Sequence, residues 1–126
     1  MKLMKFLLKT MIVLVIIASI YVASETYMQQ YQYKEIKVSH ILLDTKEDAE
    51  NVKERLNNGE VFEELVQERS LCPTKSVNGN LGWISKNNKF DKEFSKTIFS
   101  MKKGHVSEPI HSDFGWHIVR IDDVRK

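Results

Sequence analysis

Two histidines and one cysteine are the side chains in this sequence whose types most readily do chemistry. His40 lies in the stretch VSHILLDT, His117 lies in the stretch FGWHIVRI, and Cys72 is the only cysteine. An imidazole can transfer a proton, bind a metal ion or join a buried hydrogen-bond network, and a thiolate can act as a nucleophile. Which of these uses applies depends on the elements that hold the three residues and on whether the fold brings them together.

Both histidines lie on predicted strands, on a face that is otherwise apolar. The two-residue repeat of a strand surrounds each histidine with aliphatic neighbours. These neighbours are Ile36, Val38 and Leu42 for His40, and Val119 and Ile121 for His117. A histidine in such a place most often completes a hydrogen-bond network in the core. We therefore interpret both rings first as structural supports, which can also form the floor of a site.

The sequence between the two histidine strands predicts helices alternating with short strands. Thr45 is a predicted N-cap, because acidic residues follow it in the first turn and apolar residues then recur at helical spacing. Phe94 and Ile98 lie one turn apart on a third helix. The expected order is a strand around 36–42, helices at 45–57 and 61–69, a strand at 81–84, a helix at 91–99, and strands at 106–110 and 115–124.

Cys72 lies in a predicted loop at 70–80, which is rich in proline, serine, asparagine and glycine. A cysteine-histidine nucleophile pair would need a feature that lowers the thiol pKa, and neither a helix N-terminus nor an oxyanion loop is predicted there. A metal site built from Cys72 and the histidines lacks the short ligand spacings of zinc motifs. We therefore expect neither a covalent mechanism nor a metal at this site.

The amino-terminal run has the pattern of an export signal. Lys2, Lys5 and Lys9 precede an uncharged apolar stretch from Met11 to Ala23. From residue 6 to residue 23 such a helix would be about 27 Å long, close to the hydrocarbon thickness of a bilayer. The basic flank should stay inside, so that the rest of the chain is delivered across the membrane.

The same run could be a cleaved signal peptide, since Val22-Ala23-Ser24 offers small residues for cleavage. The bulky Ile20 and Tyr21 beside that point favour an uncleaved anchor. The expected organisation is a signal anchor or signal peptide at 1–24, a juxtamembrane stalk at 25–34 and one folded domain at 35–126.

Composition excludes several classes of function. The formal net charge is only +2, and the lysines are scattered among acids, so no stripe for nucleic acid is present. The folded part is large enough for one compact domain and too small for two. With a single cysteine, no disulfide can form within the chain. We expect a monomer that binds no nucleic acid.

Four stretches of the sequence together resemble the parvulin family of peptidyl-prolyl cis/trans isomerases. They are VSHILL, NNGEVFEELVQERSLCP, GNLGW and FDKEFSKTIFSMKKGHVSEPIHSDFGWHIVRI, in this order and over nearly the whole predicted domain. The resemblance implies an α+β fold in which helices surround a four-stranded antiparallel sheet. It agrees with the order of elements predicted above.

The resemblance also implies the polar residues of a site. The paired histidines of the family fall on His40 and His117, and its active-site cysteine falls on Cys72. The hydroxyl that joins the histidine pair into a hydrogen-bond network falls on Ser112. Neither a cofactor nor a metal is implied.

The proline pocket of the family falls on Leu81, Phe90 and Phe94. Around Phe90 the sequence SKNNKFDKEF departs from the family's glycine-glutamine-methionine-x-proline pattern and is about one residue longer. If Phe94 forms one wall of an open cup, we expect its ring to be only partly buried. The implied activity is isomerisation of prolyl bonds in unfolded or extended polypeptides, in support of the folding of exported proteins. The alternative is a non-catalytic chaperone or peptide-binding module that uses the same groove.

Overall fold

The structure is a computed structural model that describes residues 1–29 and 33–126. Helix α1 spans Lys2–Gln29. Its first part, Lys2–Glu25, is long and apolar enough to cross a membrane, a property that anchors and export signals share. The predicted stalk at 25–34 includes residues 30–32, which lie outside the described part of the chain. Tyr33–Lys126 forms a separate compact unit.

That unit contains the elements in the order expected from the sequence. A 3₁₀ turn at Pro73–Val77 lies within the predicted loop. The remaining elements are β1 (Glu35–Leu43), α2 (Lys46–Asn57), α3 (Phe62–Arg69), β2 (Asn80–Ser85), α4 (Lys92–Phe99), β3 (Ile110–Ser112) and β4 (Gly115–Arg125).

The four strands form one antiparallel sheet in the order β2-β1-β4-β3, as the resemblance implied. The two long strands β1 and β4 therefore lie at its centre. In their register, His40 pairs with Val119 and Leu42 pairs with His117. The two histidines become diagonal neighbours on one face of the sheet, although 77 residues separate them in the chain.

Each face of the sheet has its own apolar core, because alternate residues of β1 and β4 point to opposite sides. Helix α4 packs on the face that carries the histidines, and helices α2 and α3 pack on the other face. The first core contains Ile36, Val38, Ile84, Phe94, Ile98, Phe99, Val119 and Ile121. The second contains Ile41, Leu43, Ala49, Val52, Phe62, Leu65, Val66 and Ile118.

Side-chain caps fix where two of the helices begin. The hydroxyl of Thr45 accepts a hydrogen bond from the backbone N–H of Asp48 at 3.1 Å, which confirms the predicted N-cap of α2. The carboxylate of Asp91 accepts from the N–H groups of Glu93 and Phe94 at 3.0 and 3.2 Å. The cap on α4 thereby sets the rotation of the helix that presents Phe94 to the sheet.

The predicted edge strand at 106–110 is wrong in its position. The observed strand is Ile110–Ser112, and Val106 makes only a single bridge to Arg120. Pro109 has no N–H to donate, so a continuous ladder cannot run through it. The ladder begins after the proline instead, and Ser112 thereby becomes a strand residue beside β4.

Candidate active site

The two histidine rings meet at the centre of the sheet. His40 is 4% exposed and His117 is 6% exposed. Nδ1 of His40 lies 3.1 Å from Nδ1 of His117, and the ring planes are nearly parallel, at 17°. A buried hydrogen bond between the rings therefore links β1 to β4.

A hydroxyl group lies at each end of the histidine pair. Ser112 Oγ lies 2.6 Å from Nε2 of His117, and Thr74 Oγ1 lies 3.3 Å from Nε2 of His40. The backbone N–H of Phe114 also donates to Ser112 Oγ, at 3.2 Å. The four side chains thus form one continuous series in the order Thr74, His40, His117, Ser112. The sequence placed Ser112 at this position, whereas Thr74 was not predicted.

Both rings are neutral at physiological pH. Burial lowers the pKa of His40 to about 4. The pKa of His117 is also lowered to about 4, chiefly by burial and further by the charges of His40 and His111. Two neutral rings joined through their Nδ1 atoms share one hydrogen, which either ring can carry.

Two arrangements of the hydrogens satisfy the whole series. In the first, His40 Nδ1–H donates to His117, the hydroxyl of Thr74 donates to His40, and His117 Nε2–H donates to Ser112. In the second, every one of these bonds is reversed. The hydroxyls of Thr74 and Ser112 can both donate and accept, so every member of the series is neutral in both arrangements.

The histidine pair forms the floor of an open groove of about 570 Å³. Its walls come from the loop after α3, from β2, from the start of α4 and from the β3–β4 turn. The lining residues are His40, Leu42, Cys72, Pro73, Leu81, Lys89, Phe90, Asp91, Phe94, Ser112, Asp113, Phe114 and His117. All seven residues singled out from the sequence are among them.

Aromatic contacts connect the wall of the groove to its floor. The ring of Phe94 meets that of His117 edge to face, with centroids 5.0 Å apart. The ring of Phe90 meets that of Phe94 in the same way at 5.7 Å. Phe90 is 43% exposed at the mouth, whereas Phe94 is 4% exposed. The expectation that Phe94 is only partly buried is therefore wrong. Its ring packs into the first core, between α4 and the sheet, as well as lining the groove.

Cys72 is half-buried in the groove wall. In the part of the chain that the structure describes, its thiol makes no hydrogen bond to either imidazole. The arrangement therefore lacks the thiol-to-base contact that a cysteine nucleophile requires.

Sequence reasoning missed Thr74 and also several residues that line the groove. Phe114 is 82% exposed at the tip of the β3–β4 turn. An aromatic residue in a predicted tight turn is expected to be exposed, and this pattern could have indicated a binding residue at Phe114. The turn depends on Gly115, whose φ is 135° and where a Cβ would lie 2.5 Å from the carbonyl oxygen of Leu43. The others missed are Leu42, Pro73, Lys89, Asp91 and Asp113.

Comparison with known families and proteins gives consistent matches. The family model described as rotamase, PPIC-type PPIase domain, matches residues 32–123. Foldase protein PrsA of Bacillus subtilis is 41% identical over 90 residues, which cover 71% of this chain and 31% of that protein. A parvulin-like PPIase of Rickettsia felis is 38% identical over 91 residues, covering 70% and 32% respectively. The chain therefore spans about a third of the length of these curated relatives.

Solved structures share the fold of the domain. The crystal structure of PrsA from Bacillus subtilis has a TM-score of 0.68 and 40% identity, and the match covers 71% of this chain and 35% of that one. The solution structure of NmPin, the parvulin of Nitrosopumilus maritimus, has a TM-score of 0.61 and 38% identity, covering 70% and 95% respectively. Because the family model matches residues 32–123 and the solved structures share the fold, this chain belongs to the PpiC-type, or parvulin, family of peptidyl-prolyl cis/trans isomerases.

Proposed function

We propose that this chain is a peptidyl-prolyl cis/trans isomerase that acts on proline-containing segments of unfolded or extended polypeptides. One observation carries the proposal: an apolar groove opens directly onto a floor of two neutral, hydrogen-bonded histidines. The groove offers a place for an apolar ring beside polar groups that carry no charge. Membership in the family supports the same activity.

The reaction needs only rotation about a bond. Amide resonance opposes the rotation of the C–N bond with a barrier of about 18 to 20 kcal/mol. Twisting the amide removes this resonance and with it part of the charge on the carbonyl oxygen. Apolar surroundings therefore disfavour the planar amide relative to the twisted one. If the site favours the twisted form by about 5 kcal/mol, the rate rises more than a thousandfold.

We assign the groove residues the roles that the family resemblance implies, and their positions in the groove support this assignment. Leu81, Phe90 and Phe94 hold the proline ring, and Cys72 faces the carbonyl group as a weak polar partner. The histidine pair keeps the floor rigid and neutral, so that no acid, base or covalent intermediate takes part.

We further propose that α1 anchors the chain in the membrane as a single span and that the domain lies on the extracytoplasmic side, where it assists the folding of exported proteins. The length and apolar character of Lys2–Glu25 support this location, as do the lysines near its start. The relatives from Bacillus carry the name foldase. If the signal is cleaved, the domain is secreted.

A non-catalytic chaperone is the second candidate. Phe114 is 82% exposed and Phe90 is 43% exposed, so two aromatic rings stand at the mouth of the groove. Exposed apolar groups beside a groove suit the holding of unfolded peptides.

A cis/trans assay distinguishes the two candidates. The full chain in detergent micelles is added to a panel of X-Pro peptides, and peptide binding is measured beside it with matched peptides that carry alanine instead of proline. An isomerase accelerates the exchange of the proline peptides. A holding chaperone leaves that exchange at its spontaneous rate and binds both sets equally.

A pair of exposed apolar residues provides the control for the groove. Phe114→Ser should weaken peptide binding without lowering Tm, because the ring is not part of the core. Val61→Ser should leave binding unchanged, because Val61 is 49% exposed but lies outside the groove. Equal effects of the two variants would show that peptides do not bind in this groove.

A further inference from the structure

The turn that carries Thr74 is attached to His40 at two points. The hydroxyl of Thr74 lies 3.3 Å from the ring of His40, and the backbone N–H of His40 donates to the carbonyl of Gly79 at 2.9 Å. The N–H of Gly79 in turn donates to the carbonyl of Thr74 at 2.8 Å. The position of the Thr74 hydroxyl relative to the ring therefore depends on the shape of the turn at 73–79.

This turn has a backbone conformation that few residues adopt. Asn78 and Gly79 are both left-handed, with φ values of 56° and 78°. A Cβ at position 79 would collide with the carbonyl oxygen of His40, so glycine is required there. Asparagine tolerates the left-handed region better than most residues, so Asn78 and Gly79 suit this backbone, and side-chain contacts can then fix the turn against the rest of the domain.

Gln67 of α3 supplies such a contact. Its side-chain amide donates to the carbonyl of Lys75 at 2.6 Å and to the side-chain oxygen of Asn78 at 3.2 Å. One amide group thus holds the middle and the end of the turn against α3. The helix is itself fixed, because its inner residues Leu65 and Val66 are fully or almost fully buried.

We propose that Gln67 is a positioning residue that holds Thr74 against His40 and so sets which ring of the histidine pair carries the shared hydrogen. Gln67 is exposed and is not among the residues that line the groove, so in this proposal it acts through the turn. Its effect on the rate rests on the proposed isomerase function, whereas its effect on the ring hydrogens does not.

The bond lengths in the series show where this support matters. The Thr74–His40 contact, at 3.3 Å, is longer than the 3.1 Å contact between the rings and the 2.6 Å contact to Ser112. A small displacement of the turn would break this contact first. His40 Nε2 would then lose its protein partner, and the balance between the two hydrogen arrangements would shift.

The test compares Gln67→Leu with Glu64→Leu in the full chain in detergent micelles. Glu64 is also exposed on α3, and its side chain makes no hydrogen bond or ion pair within residues 1–29 and 33–126, so it is a matched control for placing leucine on this helix. The ring nitrogens of His40 and His117 are followed by nitrogen-15 NMR, which reports the tautomer of each ring. Catalysis is followed as kcat/KM on an X-Pro peptide.

Gln67→Leu should shift the ring-nitrogen signals of His40 and lower kcat/KM about fivefold, as expected for the net loss of one hydrogen bond. Glu64→Leu should change neither quantity. In a Thr74→Val background, Gln67→Leu should have no further effect on either quantity, because the contact through which it acts is already gone. Unchanged ring signals in Gln67→Leu, or additive effects in the double variant, would overturn the proposal. If the wild-type chain does not catalyse the exchange, the proposed function fails, and the NMR comparison still decides the role of Gln67.

Discussion

Phe94 and Phe99 lie on the same helix and are equally buried, with 4% and 5% of their surfaces exposed, yet they face different surroundings. The ring of Phe94 contacts His117 and lines the groove, whereas Phe99 packs in the aliphatic core. Function and packing can therefore be separated on one helix by making the same substitution at both positions.

Replacing each phenylalanine by leucine should destabilise the domain by a similar amount, about 1 to 2 kcal/mol, since both changes remove a buried ring and keep an apolar side chain. Phe94→Leu should also lower kcat/KM markedly, because a wall of the proline pocket is lost. Phe99→Leu should leave kcat/KM unchanged. Thermal unfolding and the cis/trans assay measure the two effects, and equal rates in both variants would remove Phe94 from the pocket.

Stability should depend on pH through the buried histidines. Their pKa falls from an ordinary value of 6.5 to about 4 on folding, so the unfolded chain binds more protons between these values. The free energy of unfolding is therefore highest above pH 6.5, and it should decrease as the pH falls toward 4. Each histidine contributes a slope of at most about 1.4 kcal/mol per pH unit.

The carboxylates whose pKa changes on folding do not obscure this effect between about pH 5 and 6.5. They include Glu63, which binds Arg120, and Asp123, which accepts a hydrogen bond from the backbone N–H of Val124 and also binds Lys103; each has a lowered pKa and so acts at lower pH. Denaturant unfolding at several pH values measures the slope, and NMR titration of the two rings checks its origin. A titration midpoint near 6.5 for both rings would contradict the neutral, buried pair.

Phosphorylated substrates should not be preferred. The segment Asp44–Glu50 after β1 reads DTKEDAE, with four acids against one lysine, and the groove lining contains two acids, Asp91 and Asp113, against one base, Lys89. Acidic groups at the rim repel a phosphate, and salt screens that repulsion. Rates on phospho-Ser-Pro and Ser-Pro peptides, compared at low and high salt, test this. A large preference for the phosphopeptide would refute it.

The domain should be accessible from outside the cell. Lys2, Lys5 and Lys9 precede the apolar part of α1, so the amino terminus should remain in the cytoplasm. Protease added to spheroplasts should digest the domain while a cytoplasmic marker protein stays intact. Protection of the domain until the membrane is dissolved would reverse the proposed orientation.

Most of the fold could be predicted from the sequence because its signals are local. These local signals are the N-cap at Thr45, the alternation of apolar and polar residues around His40 and His117, and the one-turn spacing of Phe94 and Ile98. Each depends on neighbours within a few residues. The position of β3 was not predictable in the same way, because a short edge strand is defined by its partner and Pro109 shifts where pairing can begin.

The same distinction between local and long-range signals applies to the candidate site. The sequence alone determined that two histidines occupy apolar strand faces and, by resemblance, that Cys72, Ser112 and the pocket residues accompany them. Only the tertiary structure decided that Thr74, 34 residues from His40, completes the hydrogen-bond series. It also decided that Phe94 is nearly fully buried. The first depends on the close approach of Gly79 to His40, and the second depends on how α4 packs against the sheet. Both contacts join segments that are distant in the chain, so no short-range pattern encodes them.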